Sequence, residues 1–330
     1  FYRRFGGTDI YNVNNVVKTF YYFLKEIRPR QWLKNLTLFV AIFFTGQFLN
    51  FSVLTTSFYA FIIFCIASSS VYIFNDLQDI EKDQLHPFKK NRPIASGKIS
   101  ATTAGVIAVI MAGVALFFAY KISMPFFLIT LLFYGLQISY SLYLKNIILL
   151  DVLAIAASFI IRVFAGEAAT GYHIDIWLFL TVISASLFIA IGKRRSELTL
   201  LSGWTGSIPA KTRATLSRYS DRMLDIYIGM FANSTWITYA FYTFLQRPPV
   251  IRKSIGSLFD QYNLDIFSDR KWMMLTIPLV IYGIMRYLQL IYEKNEGESP
   301  EKVLLSDKPL MITAVLFGLS LFGIIYILGK

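Results

Sequence analysis

The amino-acid sequence predicts an all-α polytopic membrane protein of nine transmembrane helices, and three observations carry that reading. Of 330 residues, 55% are hydrophobic and 17% aromatic. Mean hydropathy is +0.54, too high for a water-soluble domain of this size. Apolar windows long enough to cross a bilayer recur along the chain without strand-like alternation, and in lipid such segments satisfy their backbone polar groups as helices.

Taken in order, residues 1–35 read as a polar, basic, amphipathic cytoplasmic arm. It shows no short apolar core before a cleavage site, so no signal peptide is expected. Residues 36–330 read as one helical transmembrane domain. Its spans are expected at about 36–50, 55–75, 102–120, 124–144, 147–166, 175–192, 225–246, 272–291 and 309–329. The first is short and draws on the amphipathic segment before it.

Lys and Arg set the orientation. One set of segments holds seven in the arm, five in the 76–101 loop, Lys145, seven in the 193–224 loop and three in the 292–308 loop. The opposite set holds seven, including those of the 247–270 loop. The positive-inside rule puts the first set in the cytoplasm. The net charge of +12 therefore reflects topology and anionic substrates, and nucleic acid is not an expected partner. One cysteine, Cys65, lies within an apolar run, and His86 and His173 show no ligand spacing. No zinc motif, nucleotide-binding Gly-rich loop, nucleophile elbow or heptad seam is present.

Chemistry concentrates where the second span reaches the cytoplasm: Asn75-Asp76-Leu77-Gln78-Asp79-Ile80-Glu81-Lys82-Asp83. On a helix Asn75, Asp79 and Asp83 follow at i, i+4 and i+8, drifting by roughly 40° per step. Carboxylates stacked this way repel unless a hard cation such as Mg²⁺, shared with a substrate phosphate, joins them. Asp76 is an alternate ligand. Tyr72 lies one turn deeper on the same face. Lys34 and Asn35 stand at the depth of the column, after Arg28, Arg30 and Trp32, which read as interfacial anchors. Lys89, Lys90 and Arg92 follow in the next loop, where Pro93 and Gly97 set the turns. Cations beyond a metal would complete the neutralisation of a diphosphate. Lys145 is the basic residue of a short hairpin. Arg162 lies mid-span, a costly place for a charge, and Asp151 and Glu167 are too far along its helix for easy pairing. Lys193, Arg194 and Arg195 end the sixth span as a second anion site. Asp221 and Asp225 form a weaker acidic pair.

The NDxxDxxxD run, the NRPI-x-SG segment and the Y-x₄-K hairpin resemble the UbiA superfamily of intramembrane prenyltransferases. RPRQWLKN, RVFAGEAATG and IGKRRSEL are similar to its decaprenyl-phosphate phosphoribosyltransferase branch. The resemblance covers nearly the whole chain from Arg28. It implies a nine-helix bundle in a bacterial cytoplasmic membrane. It also implies Mg²⁺-dependent transfer of 5-phosphoribose from phosphoribosyl diphosphate to a polyprenyl phosphate, toward a lipid-linked arabinose donor for the cell wall. Asn75, Asp79 and Asp83 would hold the metal and Asp76, Asp79 and Asp83 serve catalysis. Lys34, Tyr72, Asn75, Lys89, Arg92, Lys193 and Arg194 would contact the donor, and Lys145 and Arg162 the lipid phosphate. Surrounding membrane lipids are implied partners and a homo-oligomer stays open. One departure favours this branch: ordinary members carry a second acidic motif where this chain reads Lys193-Arg194-Arg195-Ser196-Glu197. Cations there suit a more anionic substrate pair. Asp221 and Asp225 keep an alternative alive, transfer of a prenyl group from a prenyl diphosphate to an aromatic or other small acceptor. A transporter, the third class, leaves the carboxylate column unexplained.

Overall fold

The computed structural model describes residues 21–85, 89–202, 219–247, 251–252, 255, 261–262, 270–294 and 300–329. Residues 1–20 of the arm, 203–218 and most of the 247–270 loop lie outside the described residues. Among the described residues the structure is helical, apart from one isolated bridge between Ile251 and Gly329.

The chain enters through a 3₁₀ helix, Pro29–Phe39, that passes into a five-residue helix α1, Val40–Phe44. The expected span 36–50 is therefore not one continuous α-helix. Its apolar run is short, and Gly46, Gln47 and Asn50 follow it. The 3₁₀ backbone instead packs directly on a neighbour: a Cβ on Gly166 would meet the Leu38 carbonyl oxygen at 2.0 Å. Glycine is required at that contact.

Helix α2, Phe51–Gln78, has 28 residues. At 1.5 Å per residue it is about 42 Å long, against a hydrocarbon core of about 30 Å. Its last turns thus reach polar depth. Asp79 ends it, and α3, Ile80–Leu85, follows at once. Hydrogen bonds from Asp79 N to Asn75 O (3.1 Å) and from Asp83 N to Asp79 O (2.8 Å) carry the ladder across the join. The result is a bend, not an interruption.

Ser100 caps α4, Ala101–Ile122, and Ser123 caps α5, Met124–Leu142, each accepting a backbone N–H from the first turn. A 3₁₀ turn, Leu144–Asn146, leads to α6, Leu150–Thr170, which ends at Gly171 with φ 76°. Then come α7, Ile176–Ser202, and α8, Asp221–Leu245, capped by Ser220. The 3₁₀ turn Trp272–Thr276 opens α9, Ile277–Lys294. Helix α10, Pro300–Ser306, precedes α11, Lys308–Phe322, which continues as a π turn, Gly323–Leu328.

Seven stretches among the described residues are long and apolar enough to cross a membrane: α2, α4, α5, α6, most of α7, and the Trp272–Glu293 and Lys308–Leu328 segments. Nine were expected. The two not among the seven are the broken 36–50 segment and α8, which has 25 residues but carries Asp221, Arg222, Asp225, Asn233 and Ser234.

Helix α6 joins two packed halves. Its Ile161 and Ala165 belong to a cluster with Leu38, Phe64, Ala115, Phe126 and Phe133. Its Val152 and Ala156 belong to another with Phe188, Leu224, Ile228, Leu290 and Ile291. A third cluster (Ile27, Ile73, Ile94, Ile99, Ala104 and Ala108) seats the 89–99 loop under the N-terminal segment, beside the end of α2.

Candidate functional site

That third cluster sets the position of Arg92. Ile94 and Ile99 are buried, and Gly97 turns the chain at φ 72° with its N–H on Ile94 O. The loop is thereby pinned across the α2–α3 bend. Arg92 Nη1 donates to Asp76 Oδ1 at 2.9 Å and to Asp83 Oδ2 at 2.5 Å. Asp76 and Asp83 are both buried. They meet one guanidinium because seven residues make nearly two full helical turns, an offset of about 20°, whereas eight residues leave about 80°. The expected column of Asn75, Asp79 and Asp83 is thus divided between two faces.

The other face looks toward the α5–α6 hairpin. Lys145 Nζ lies 2.7 and 2.9 Å from the two oxygens of Asp79. Ser141 Oγ donates to Asn75 Oδ1 at 2.9 Å. Lys82 stands 3.9 Å from Asp79. Lys89 lies near Asp83. Burial pushes the Asp83 carboxyl above its usual value, while Arg92 and Lys89 pull it down.

Two residues outside the expected site complete it. Arg28 read as an interfacial anchor; instead its Nη2 donates to Asp76 Oδ1 at 2.6 Å and also contacts Oδ2. Its guanidinium lies 5.3 Å from the Tyr72 ring centre. Burial works against this cation, but Asp76 more than offsets it and holds the guanidinium above its usual range. Arg28 has φ 52° and ψ 62° directly before Pro29, where extended backbone is preferred. Glu26 is buried, and neither carboxyl oxygen has a hydrogen-bonding donor. Burial first, and then the neighbouring Asp76, push its carboxyl up to about 8. Protonated at neutral pH, it can donate to Asp76. No sequence signal singled out Glu26; the strained Arg-Pro step is visible only in the backbone.

Deeper along α2 lies a polar pocket without acids. Arg162 Nε donates to Asn35 Oδ1 at 2.8 Å, and Nη1 reaches Ser158 O. Asn35 Oδ1 also accepts from Ser68 Oγ at 3.3 Å. Tyr72 neighbours Arg162, whose guanidinium sits 5.0 Å from the Phe133 ring centre. Arg162 is 2% exposed, and the groups around it are neutral: Asn35, the Ser158 carbonyl, Tyr72 and the rings of Phe133 and Phe159. Lys193, near Lys34 and Tyr140, makes no hydrogen bond or ion pair among the described residues. Lys34 donates to Gln31. Lys145 and Arg162, expected to share one phosphate, are instead engaged separately, by Asp79 and by Asn35.

The remaining cations of the IGKRRSEL segment face protein acids. Arg194, fully buried, lies 2.8 Å from Asp151 Oδ2, contacts Glu197 and donates to Tyr140 Oη at 3.1 Å. It is an internal ion-pair partner in this structure, not an exposed donor contact. Arg195 pairs with Asp221 at 3.0 Å and Asp225 at 2.8 Å, and Tyr292 Oη donates to Asp225 at 2.7 Å.

Among the described residues no three His, Cys, Asp or Glu side chains gather as a ready metal cage. Mg²⁺ does not require one, since it keeps waters and commonly uses one or two carboxylates plus substrate phosphates. Asp76 and Asp83, already drawn to one cation, fit that description with hard oxygen donors. Along the first turns of α2 an apolar cavity of about 600 Å³ opens, lined by Leu36, Phe39, Phe48, Leu54, Thr55, Phe58 and Tyr59.

Residues 35–195 match the UbiA prenyltransferase family. The chain is 31% identical over 293 residues to the decaprenyl-phosphate phosphoribosyltransferase of Mycolicibacterium smegmatis, covering 88% of this chain and 87% of that one. It is 28% identical to the protein of the same name from Corynebacterium glutamicum, over 92% and 87% of the two chains. A UbiA homolog from Archaeoglobus fulgidus, solved bound to GPP and Mg²⁺, superposes with a TM-score of 0.66 at 20% identity, covering 92% of this chain and 99% of that one. At that identity the likeness speaks to fold.

Proposed function

The chain belongs to the UbiA prenyltransferase family of membrane transferases, and on that premise we propose that it moves 5-phosphoribose from phosphoribosyl diphosphate to a polyprenyl phosphate, releasing diphosphate. The observation that carries the choice of substrate is the contrast in burial between the two acid pairs. A prenyl diphosphate held by metal at two acid clusters would need Asp221 and Asp225 as the second cluster, and their side chains are 62% and 40% exposed, whereas Asp76 and Asp83 are buried. The names of the relatives agree with this reading.

Asp76 and Asp83, with Asp79 and Asn75 on the adjoining face, would hold Mg²⁺, which when bound supplies positive charge to the leaving diphosphate. Arg28 and Arg92 exchange carboxylate for phosphate oxygens as the donor arrives. Lys34, Tyr72, Lys89 and Lys193 contact its phosphates and ribose, and Lys145 orients Asp79. As the C1–O bond lengthens, these fixed cations stabilise charge on the departing oxygens. Arg162, held by Asn35, takes the lipid phosphate. That phosphate is already ionised, so attack needs alignment and no general base. Attack opposite the leaving group inverts C1. The isoprenoid tail leaves along the apolar cavity beside Leu36 and Phe39.

The same reading gives one domain with nine crossings, the Pro29–Phe44 segment and α8 joining the seven apolar stretches. It places the carboxylates on the cytoplasmic face of a bacterial inner membrane and the product on the route to a lipid-linked arabinose donor for the cell wall. The test is transfer from radiolabelled phosphoribosyl diphosphate to polyprenyl phosphate with Mg²⁺. Labelled lipid supports the proposal. Product from a prenyl diphosphate and an aromatic acid, with no labelled lipid, supports the prenyl-transfer alternative.

A further inference from the structure

We propose that Tyr219 is a positioning residue for Lys145, acting through the backbone of Leu149. The inference rests on the reading that Lys145 serves the transfer site.

Among the described residues two that are not glycine have positive φ, Arg28 and Leu149. Arg28 meets Asp76, and Leu149 stands four residues after Lys145, the partner of Asp79. A bulky side chain at φ 68°, ψ −41° is strained, and such strain persists where the surroundings hold it. Here one hydroxyl holds the Leu149 N–H, while the Leu149 carbonyl accepts from Leu153 N at 2.9 Å and Asp151 N donates to Ile147 O at 3.1 Å. Leu149 N donates to Tyr219 Oη at 2.8 Å, and Tyr219 Oη donates to Asp151 Oδ1 at 2.6 Å. The other oxygen of Asp151 faces Arg194 Nε at 2.8 Å. Tyr219, Asp151 and Arg194 are all buried. The bend is thus tied to an ion pair reaching α7.

Geometry makes the bend matter. Asn146, Ile147 and Ile148 alone separate Lys145 from Leu149, and α6 begins at Leu150. Rotation at Leu149 swings the 3₁₀ turn against α6 and carries Lys145 Nζ away from Asp79, its partner at 2.7 Å. Among the described residues the Tyr219 hydroxyl bonds to Leu149 N and Asp151, not to the carboxylates of α2 and α3, and it is linked to those through this bend.

Tyr219→Phe keeps the buried ring and removes the hydroxyl. Transfer should fall roughly 10-fold to 100-fold, the scale of a misplaced site residue. Leu149→Gly in the same chain should restore most of the rate, because glycine takes positive φ without strain. A role confined to filling the core or satisfying Asp151 gives no such rescue. A wild-type rate in Tyr219→Phe, or a double variant as slow as the single one, overturns the proposal. If the wild type transfers no phosphoribose, the proposed reaction fails by itself and position is read directly. The variants Asp79→Cys and Lys145→Cys, combined in a Cys65→Ser background, are joined by a short bismaleimide. The cross-link yield should drop with Tyr219→Phe and return with Leu149→Gly; an unchanged yield overturns the proposal.

Discussion

Two acid groups stand at helix ends in the two halves of the bundle, and they are built differently. Asp76 and Asp83 are buried, bridged by Arg92, and surrounded by Arg28, Glu26 and Lys89. Asp221 and Asp225 have side chains 62% and 40% exposed and share Arg195. Burying carboxylates is expensive unless cations and hydrogen bonds answer them, so the first group is costly to keep and the second is not. The lesson is that similar acid spacing on two helices goes with different burial and different cation partners.

Breaking the buried group should have the largest effect. Asp83→Asn or Asp79→Asn should lower Mg²⁺-dependent transfer by roughly 100-fold or more, the scale of losing charge stabilisation at a leaving group. Full activity in either variant would erase the distinction between the two groups. Next comes Arg162, a buried cation among neutral groups. Arg162→Lys keeps charge but loses the planar fork, and should raise KM for polyprenyl phosphate about tenfold, or ~1.4 kcal/mol, with KM for phosphoribosyl diphosphate unchanged. Initial rates with each substrate varied separate the two.

Glu26 sharpens the contrast through pH. Its carboxyl titrates near 4.5 when unperturbed and near 8 in the folded protein. The folded state therefore binds the proton more tightly. The stability this contributes is complete below pH 4.5 and is lost as pH rises through 8. Unfolding midpoints in detergent should fall across that window, and Glu26→Gln should flatten the slope. The smallest effect belongs to the exposed pair. Asp225→Asn should change stability by at most about 1 kcal/mol and leave transfer within about twofold. A loss as large as that of Asp83→Asn would restore prenyl transfer as the better reading.

Much of this contrast was legible in the chain. The NDxxDxxxD run ends a long apolar stretch, and carboxylates there need cations nearby, which the 89–98 loop supplies. The partners were not legible, because each depends on tertiary placement. Arg28 looked like a membrane anchor until its turn before Pro29 brought it to Asp76. The grouping of Asp76 with Asp83 follows from the seven-residue offset, which the four-residue spacing of Asn75, Asp79 and Asp83 obscured. Arg194 and Lys193 are neighbours in sequence, yet one faces Asp151 and the other lies beside Lys34. The 36–50 run reads as apolar and spanning, but its approach to Gly166 favours a 3₁₀ path over a regular helix.

The central claim is tested most directly by offering the purified protein phosphoribosyl diphosphate, polyprenyl phosphate and Mg²⁺ alongside a prenyl diphosphate with an aromatic acid, and identifying the lipid product by mass. The account predicts polyprenyl phosphate carrying one added 5-phosphoribose. A prenylated aromatic acid with no phosphoribosylated lipid would contradict it.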